Sequence, residues 1–96
     1  MLRQYYAASP KRPFQHIAKV APDDIKSTKK IDSPRLGVIS GHVFDGKEIY
    51  YGMCKKADKL YCFDVYYSAN EQTKYDPMVK RIAKSFKKCS NPSQCL

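Results

Sequence analysis

The stretch YDPMVKRIAKSFKK, residues 75–88, does most to limit what this chain can fold into. Met78, Val79, Ile82, Ala83 and Phe86 recur at helical spacing, and Lys80, Arg81, Lys84, Lys87 and Lys88 fill the positions between them. An amphipathic helix of this kind needs an apolar surface to lie on. Asp76 followed by Pro77 reads as an N-cap and first helical residue, so a helix is expected over 76–88. Its lysines outside the apolar stripe form a solvated basic face, and those in the last turn suit the helix dipole.

The surface for that helix lies upstream. Three strand candidates, 36–43, 48–55 and 59–67, follow one another with turn signals between them. Asp45-Gly46 marks the first hairpin. A three-residue bulged loop over 44–46 would pair Val43 with Lys47 and collect Gly37, Ile39, Gly41 and Val43 on the face of Ile49, Tyr51 and Met53. A two-residue loop would instead set those large side chains on the face of Ser40 and His42. The bulged register is the expected one because it makes one face consistently apolar. In the second hairpin a three-residue loop at 57–59 places Met53 opposite Phe63, Tyr51 opposite Val65 and Ile49 opposite Tyr67. The same register sets Cys54 against Cys62 on the other face, so packing and cysteine pairing select one alignment.

The predicted fold class is therefore α+β: a three-stranded antiparallel meander (35–67) with the C-terminal helix packed on one face, a small two-layer sandwich. Residues 1–34 are weakly organised, holding one or two short strands broken by Pro10, Pro13, Pro22 and Pro34. Asp23 to Asp32 reads as a surface turn or short helix followed by a loop. The tail, 89–96, carries Cys89 and Cys95. With 96 residues the chain is expected to form a single domain whose modest core gains from crosslinks or a partner chain.

Cys54, Cys62, Cys89 and Cys95 form an even set in a short chain, which points to two disulfides and an oxidising compartment. A bridge from Cys89 to Cys95 and a bridge from the tail to the sheet are both open. Zinc is disfavoured because no CxxC pair occurs. The N-terminal residues lack the continuous apolar core of a signal peptide, which leaves a mature or engineered chain whose signal was removed, or a cytosolic chain with free thiols; the cysteine positions favour the first. No apolar run reaches membrane-spanning length.

Lysine and arginine number 18 against 9 acidic residues, a net charge of +9 that favours anionic partners. Tyr50 and Tyr66 fall on the sheet face opposite the expected core, where they are candidates for stacking nucleic-acid bases, for a protein interface or for cover by the N-terminal segment. His16 and His42 are the two histidines, and no motif brings them together for acid–base chemistry. No nucleophile elbow, P-loop, dinucleotide fingerprint or HExxH is present. The expectation is a non-enzymatic binding domain with no cofactor and no metal. Its partner would be met by Tyr50, Tyr66, Lys80, Arg81, Lys84, Lys87 and Lys88. The alternative is nucleic-acid or anionic-surface binding through the helix cations.

The order strand, strand, polar loop and YDPMVKRIAKSF resembles the C-terminal part of PsbP-like and DcrB-like domains over residues 47–88. That resemblance implies an α/β sandwich, export across a membrane and an accessory role in the periplasm or outside the cell, with a protein or cell-envelope partner. A chain this short would complete its sheet by pairing with a second copy, which implies a homo-oligomer.

Overall fold

The computed structural model describes residues 2–7, 12–57 and 59–88. In chain order the elements are β1 (Leu2–Ala7), α1 (Pro13–Val20), β2 (Lys26–Asp32), β3 (Leu36–Val43), β4 (Glu48–Lys56), β5 (Leu60–Ser68), a 3-10 turn (Ala69–Glu71) and α2 (Gln72–Lys88). The strands form one antiparallel sheet in the order β1-β5-β4-β3-β2. The α+β class and the meander from β3 to β5 are as expected. The sheet has five strands rather than three, and it is covered on both faces rather than one.

The N-terminal third supplies the difference. Pro13 stands at the first helical position of α1, where a missing N–H costs nothing, and Pro22 follows the helix end. The prolines therefore bound a short helix instead of excluding one. Ile17 and Ala21 bury against Ile39, Val43, Tyr50, Cys54, Leu60 and Cys62, which makes an apolar core on the face assigned no core from sequence. Gly37 admits this helix: a Cβ there would lie 2.2 Å from the backbone nitrogen of Phe14. Arg12 ties the helix start to β2, its Nε donating to Asp32 Oδ1 at 2.9 Å. Downstream, Asp23 and Asp24 form a turn as expected, but the segment expected to be a loop is strand β2.

The second core lies on the opposite face, where Val79, Ala83 and Phe86 of α2 pack on Val38, Tyr51, Met53, Phe63 and Val65. From Ile49 to Cys54 every residue of β4 is buried, as expected of a central strand with both faces dry. That two-sided burial also explains why the first hairpin departs from expectation. Val43 pairs with Glu48, Ser40 with Tyr51 and Val38 with Met53, which is the register of the two-residue loop. Choosing the register that made one face apolar fails when the other face has its own core. Phe44, Asp45 and Gly46 turn the chain with left-handed φ values of 55°, 57° and 82°. For a bulky residue such as Phe44 that conformation is unfavourable. Its N–H donates to the Asp24 carboxylate at 2.7 Å, and its ring stacks on Tyr66 at 6.0 Å.

The second hairpin follows the expected register throughout, and Cys54 and Cys62 are disulfide-bonded. Both are fully buried beneath α1. The bridge closes a short loop, and chain-entropy reasoning gives it about 2.5 kcal/mol of stability. The Cys54→Ala/Cys62→Ala protein should accordingly lose about 2.5 kcal/mol in equilibrium urea unfolding. Equal unfolding free energies for the two proteins would show that the bridge contributes nothing. Cys89 and Cys95 lie outside the described residues.

The C-terminal helix begins earlier than its proline suggested. Ser68 Oγ accepts from the Asn70 N–H at 3.3 Å, and Glu71 stands three residues on, so the cap signal is SANE rather than Asp76-Pro77. Pro77 lies inside α2, and Asp76 accepts hydrogen bonds from Tyr67 Oη (2.5 Å) and Gln72 Nε2 (3.1 Å). The expected apolar stripe is otherwise in place, except that Met78 is exposed. Lys55 Nζ fastens the far end by donating to the Lys87 carbonyl at 2.7 Å.

Candidate functional site

A single helix is about 10 Å across and strands lie about 4.8 Å apart, so one helix covers roughly two strands. On its face of the sheet α2 packs mainly over β4 and β5, reaches Val38 of β3, and leaves the β2 edge less covered. A groove of about 390 Å³ opens between α2 and β2. Ile49, Tyr51, Met53 and Val79 form its floor, with Ile31 and Leu36 half-buried beside them. Lys29 of β2 stands on one rim, and Lys80, Lys84 and Lys87 of α2 stand on the other.

The groove's electrostatics are one-sided. Four lysines and one acid, Asp76, line it, and that carboxylate already holds Tyr67 and Gln72. None of the four lysines is ion-paired among the described residues. Burial raises the Tyr51 phenol above its ordinary pKa. Burial, followed by the bond to Asp76, does the same for Tyr67. Both phenols are therefore neutral at physiological pH. The result is an apolar slot with a cationic mouth, lined also by Ser40 and His42. Such a slot selects apolar matter that carries negative charge.

The expected partner residues do not converge on one surface. Lys80, Lys84 and Lys87 are exposed on the groove rim, and Arg81 is exposed elsewhere on α2. Lys88 ends the helix, and its side chain lies outside the described residues. Tyr66 is half-buried on the opposite face of the sheet, against Phe44 and, edge-on at 4.9 Å, Tyr50. Tyr50 itself is fully buried under α1 and presents no surface to a partner. Cover by the N-terminal segment, the alternative weighed for these tyrosines, is realised at Tyr50. His16 sits on α1 against Tyr5, whereas His42 lines the groove, so the sheet lies between the two imidazoles. Lys29, in the segment expected to be a loop, joins the site because β2 is a strand.

The α1 face holds a second polar cluster. Asp64 is 1% exposed and receives Arg3 through Nε (3.1 Å) and Nη2 (2.5 Å), together with the Tyr50 hydroxyl at 3.0 Å. Gly52 makes the space: a Cβ there would lie 2.6 Å from the Tyr50 hydroxyl oxygen and 2.8 Å from Ile17. This cluster clasps β1 to β5, since Arg3 and Asp64 are register partners. Tyr5 lies alongside with its hydroxyl buried, and burial followed by the charge of Asp64 pushes its pKa up to about 12.

A phenol whose folded pKa is raised stabilises the fold fully below its unfolded pKa. That contribution is lost as pH rises toward the folded value. Stability should therefore decline between pH 10 and about 12 through Tyr5. Urea midpoints read across that window check this, together with phenolate absorbance. Simple ionisation of all tyrosines near pH 10 in the folded protein would contradict it.

No family model, curated protein or solved structure matches the chain. Among the described residues no helix is long and apolar enough to cross a membrane, and no cluster of three or more His, Cys, Asp or Glu side chains could hold a metal ion.

Proposed function

We propose that the protein is a non-enzymatic binding domain of the periplasm or extracellular space. It recognises a protein or cell-envelope partner through the lysine-rimmed groove beside α2. The observation that carries this reading is the pairing of a dry floor with four unpaired lysines in one 390 Å³ groove. A buried disulfide supports an oxidising compartment. The resemblance of residues 47–88 to PsbP-like and DcrB-like domains points the same way. Sheet completion by a second copy has less physical motive in a five-stranded sheet, and Lys26, Lys29 and Lys30 discourage pairing at the β2 edge.

Nucleic-acid binding through Lys80, Arg81, Lys84, Lys87 and Lys88 is the second reading, because Lys80, Arg81, Lys84 and Lys87 are exposed and suited to meet phosphates. It is the weaker one: base stacking needs exposed aromatics beside the cations, and Tyr50 is buried on the far side of the sheet.

Sedimentation with vesicles of phosphatidylglycerol in phosphatidylcholine tests the first reading. Each lysine near an anionic surface contributes about 1 kcal/mol, so Lys80→Glu/Lys84→Glu should weaken vesicle binding at least about tenfold. Binding that ignores these substitutions would sink the assignment of the groove. A single-stranded oligonucleotide bound more tightly than vesicles, with a steep salt dependence, would favour the second reading.

A further inference from the structure

We propose that the groove seats a single-chain anionic amphiphile, a hydrocarbon chain bearing one carboxylate or phosphate. This deepens the binding-domain reading and rests on it. The chain lies on Ile49, Tyr51 and Met53, and the headgroup meets Lys29, Lys80 and Lys84 at the mouth.

Size comes first. A groove of about 390 Å³ falls at the small end of the range for small-molecule sites. Its floor residues are nearly out of solvent, Ile49 at 4%, Met53 at 3% and Val79 at 3% exposure. Ile31 and Leu36, half-buried beside that floor, add apolar surface that a methylene chain can cover.

Charge comes second. Lysines from two separate elements face the same opening, three from α2 and one from β2, and the single acid lining the groove is already held by Tyr67 and Gln72. A neutral apolar ligand would leave those cations without a role, and a cationic one would be repelled. The groove is also lopsided in chemistry along its length. Ile31, Leu36 and Met53 lie toward one end, whereas His42, Tyr67 and Asp76 lie toward the other, with Ser40 and Lys29 between. Lys87 belongs with the first end, since Lys55, the register partner of Leu36, donates to its carbonyl, so the anionic head sits toward Lys84 and away from the Asp76 carboxylate.

The test uses the full oxidised chain and four defined probes read by calorimetry: sodium octanoate, sodium decanoate and decyl phosphate, each below its micelle concentration, and decanol below its solubility limit. Burying one methylene deepens affinity about fourfold, so decanoate should bind about fifteenfold more tightly than octanoate. Decanol should bind about tenfold more weakly than decanoate, and Lys80→Glu/Lys84→Glu should weaken decanoate by a similar about tenfold factor. Ser40→Trp, which fills the slot without cutting a core side chain, should abolish binding. Tighter decyl phosphate would assign a phosphate head and tighter decanoate a carboxylate; either outcome supports the proposal.

Decanol binding as tightly as decanoate would overturn it, as would equal affinity for the two chain lengths or full affinity in Ser40→Trp. Should Ser40→Trp fail to fold, the double lysine variant at its exposed positions decides, and unchanged decanoate affinity there overturns the proposal. A wild-type protein that holds anionic vesicles but not decanoate overturns the amphiphile and leaves the binding-domain reading standing. One that holds neither overturns both.

Discussion

Phe86→Ala should remove about 3–5 kcal/mol of stability, the largest single effect expected in this domain. Phe86 is fully buried at the α2–sheet interface and meets Phe63 edge-to-face at 5.1 Å. Its truncation forfeits both the transfer of a large ring from water and the packing around it, because the sheet beneath cannot collapse to fill the space. A domain of this size typically has about 5–14 kcal/mol in total, so little reserve would remain. The helix has no strong means of staying folded alone: it carries Pro77, and its outward face is a row of like charges. Urea unfolding measures the loss, and near-ultraviolet dichroism of Tyr51 and Tyr67 reports whether α2 stays docked. A loss below about 1 kcal/mol would mean that α2 does not depend on this anchor.

Asp64→Ala should cost about 3 kcal/mol, and the cause is what it strands rather than the charge it deletes. Arg3, half of whose side chain meets solvent, can turn to water once its partner is gone. The Tyr50 hydroxyl cannot, because Tyr50 is fully buried and Asp64 is its acceptor. With the clasp open, the amides of Leu2–Ala7 should lose protection in hydrogen exchange while those of β4 keep theirs. Tyr50→Phe provides the control. It removes the donor and leaves the Arg3 pair intact, so its cost should stay near 1 kcal/mol. Equal losses in the two variants would place the whole effect on the Tyr50 bond and none on β1.

Much of the centre of this molecule was legible in residue order, and the reason is local. From β4 to β5 the apolar alternation and the cysteine spacing demand the same register, so two independent constraints overdetermine the hairpin. From β3 to β4 only one constraint operated, the wish for a single dry face, and it chose wrongly because IYYGMC is apolar on both sides. An unbroken apolar run in a central strand was itself the signal that something covers the second face. For α2 the stripe of Val79, Ala83 and Phe86 was legible, but its start was obscured by a proline that a docked helix tolerates in its interior. SANE carried the competing cap signal.

The candidate site was less accessible to such reading. Lys80, Lys84 and Lys87 were visible as one helical face, but a helix face names no partner and no cavity. Tyr50 and Tyr66 share a strand face with the disulfide, and only the docking of α1 decides which of them reaches solvent.

By itself, then, the sequence determined the strand order of the β3–β5 meander, the β4–β5 register with its Cys54–Cys62 pairing and a basic amphipathic helix near the C-terminus, because each depends on side chains close together in the chain. The tertiary structure alone decided that the short strands expected in the first thirty-odd residues take the two edges of the sheet, and that a second helical layer lies between them in the chain. β1 takes its pairing energy from β5, a partner far along the chain, and β2 pairs with β3 across the short turn at 33–35, rather than either relying on its own propensity. It also decided that Lys29 faces α2 across an open groove. That groove exists because a five-stranded sheet is wider than the one helix laid on it, a mismatch of dimensions that no local pattern of residues encodes.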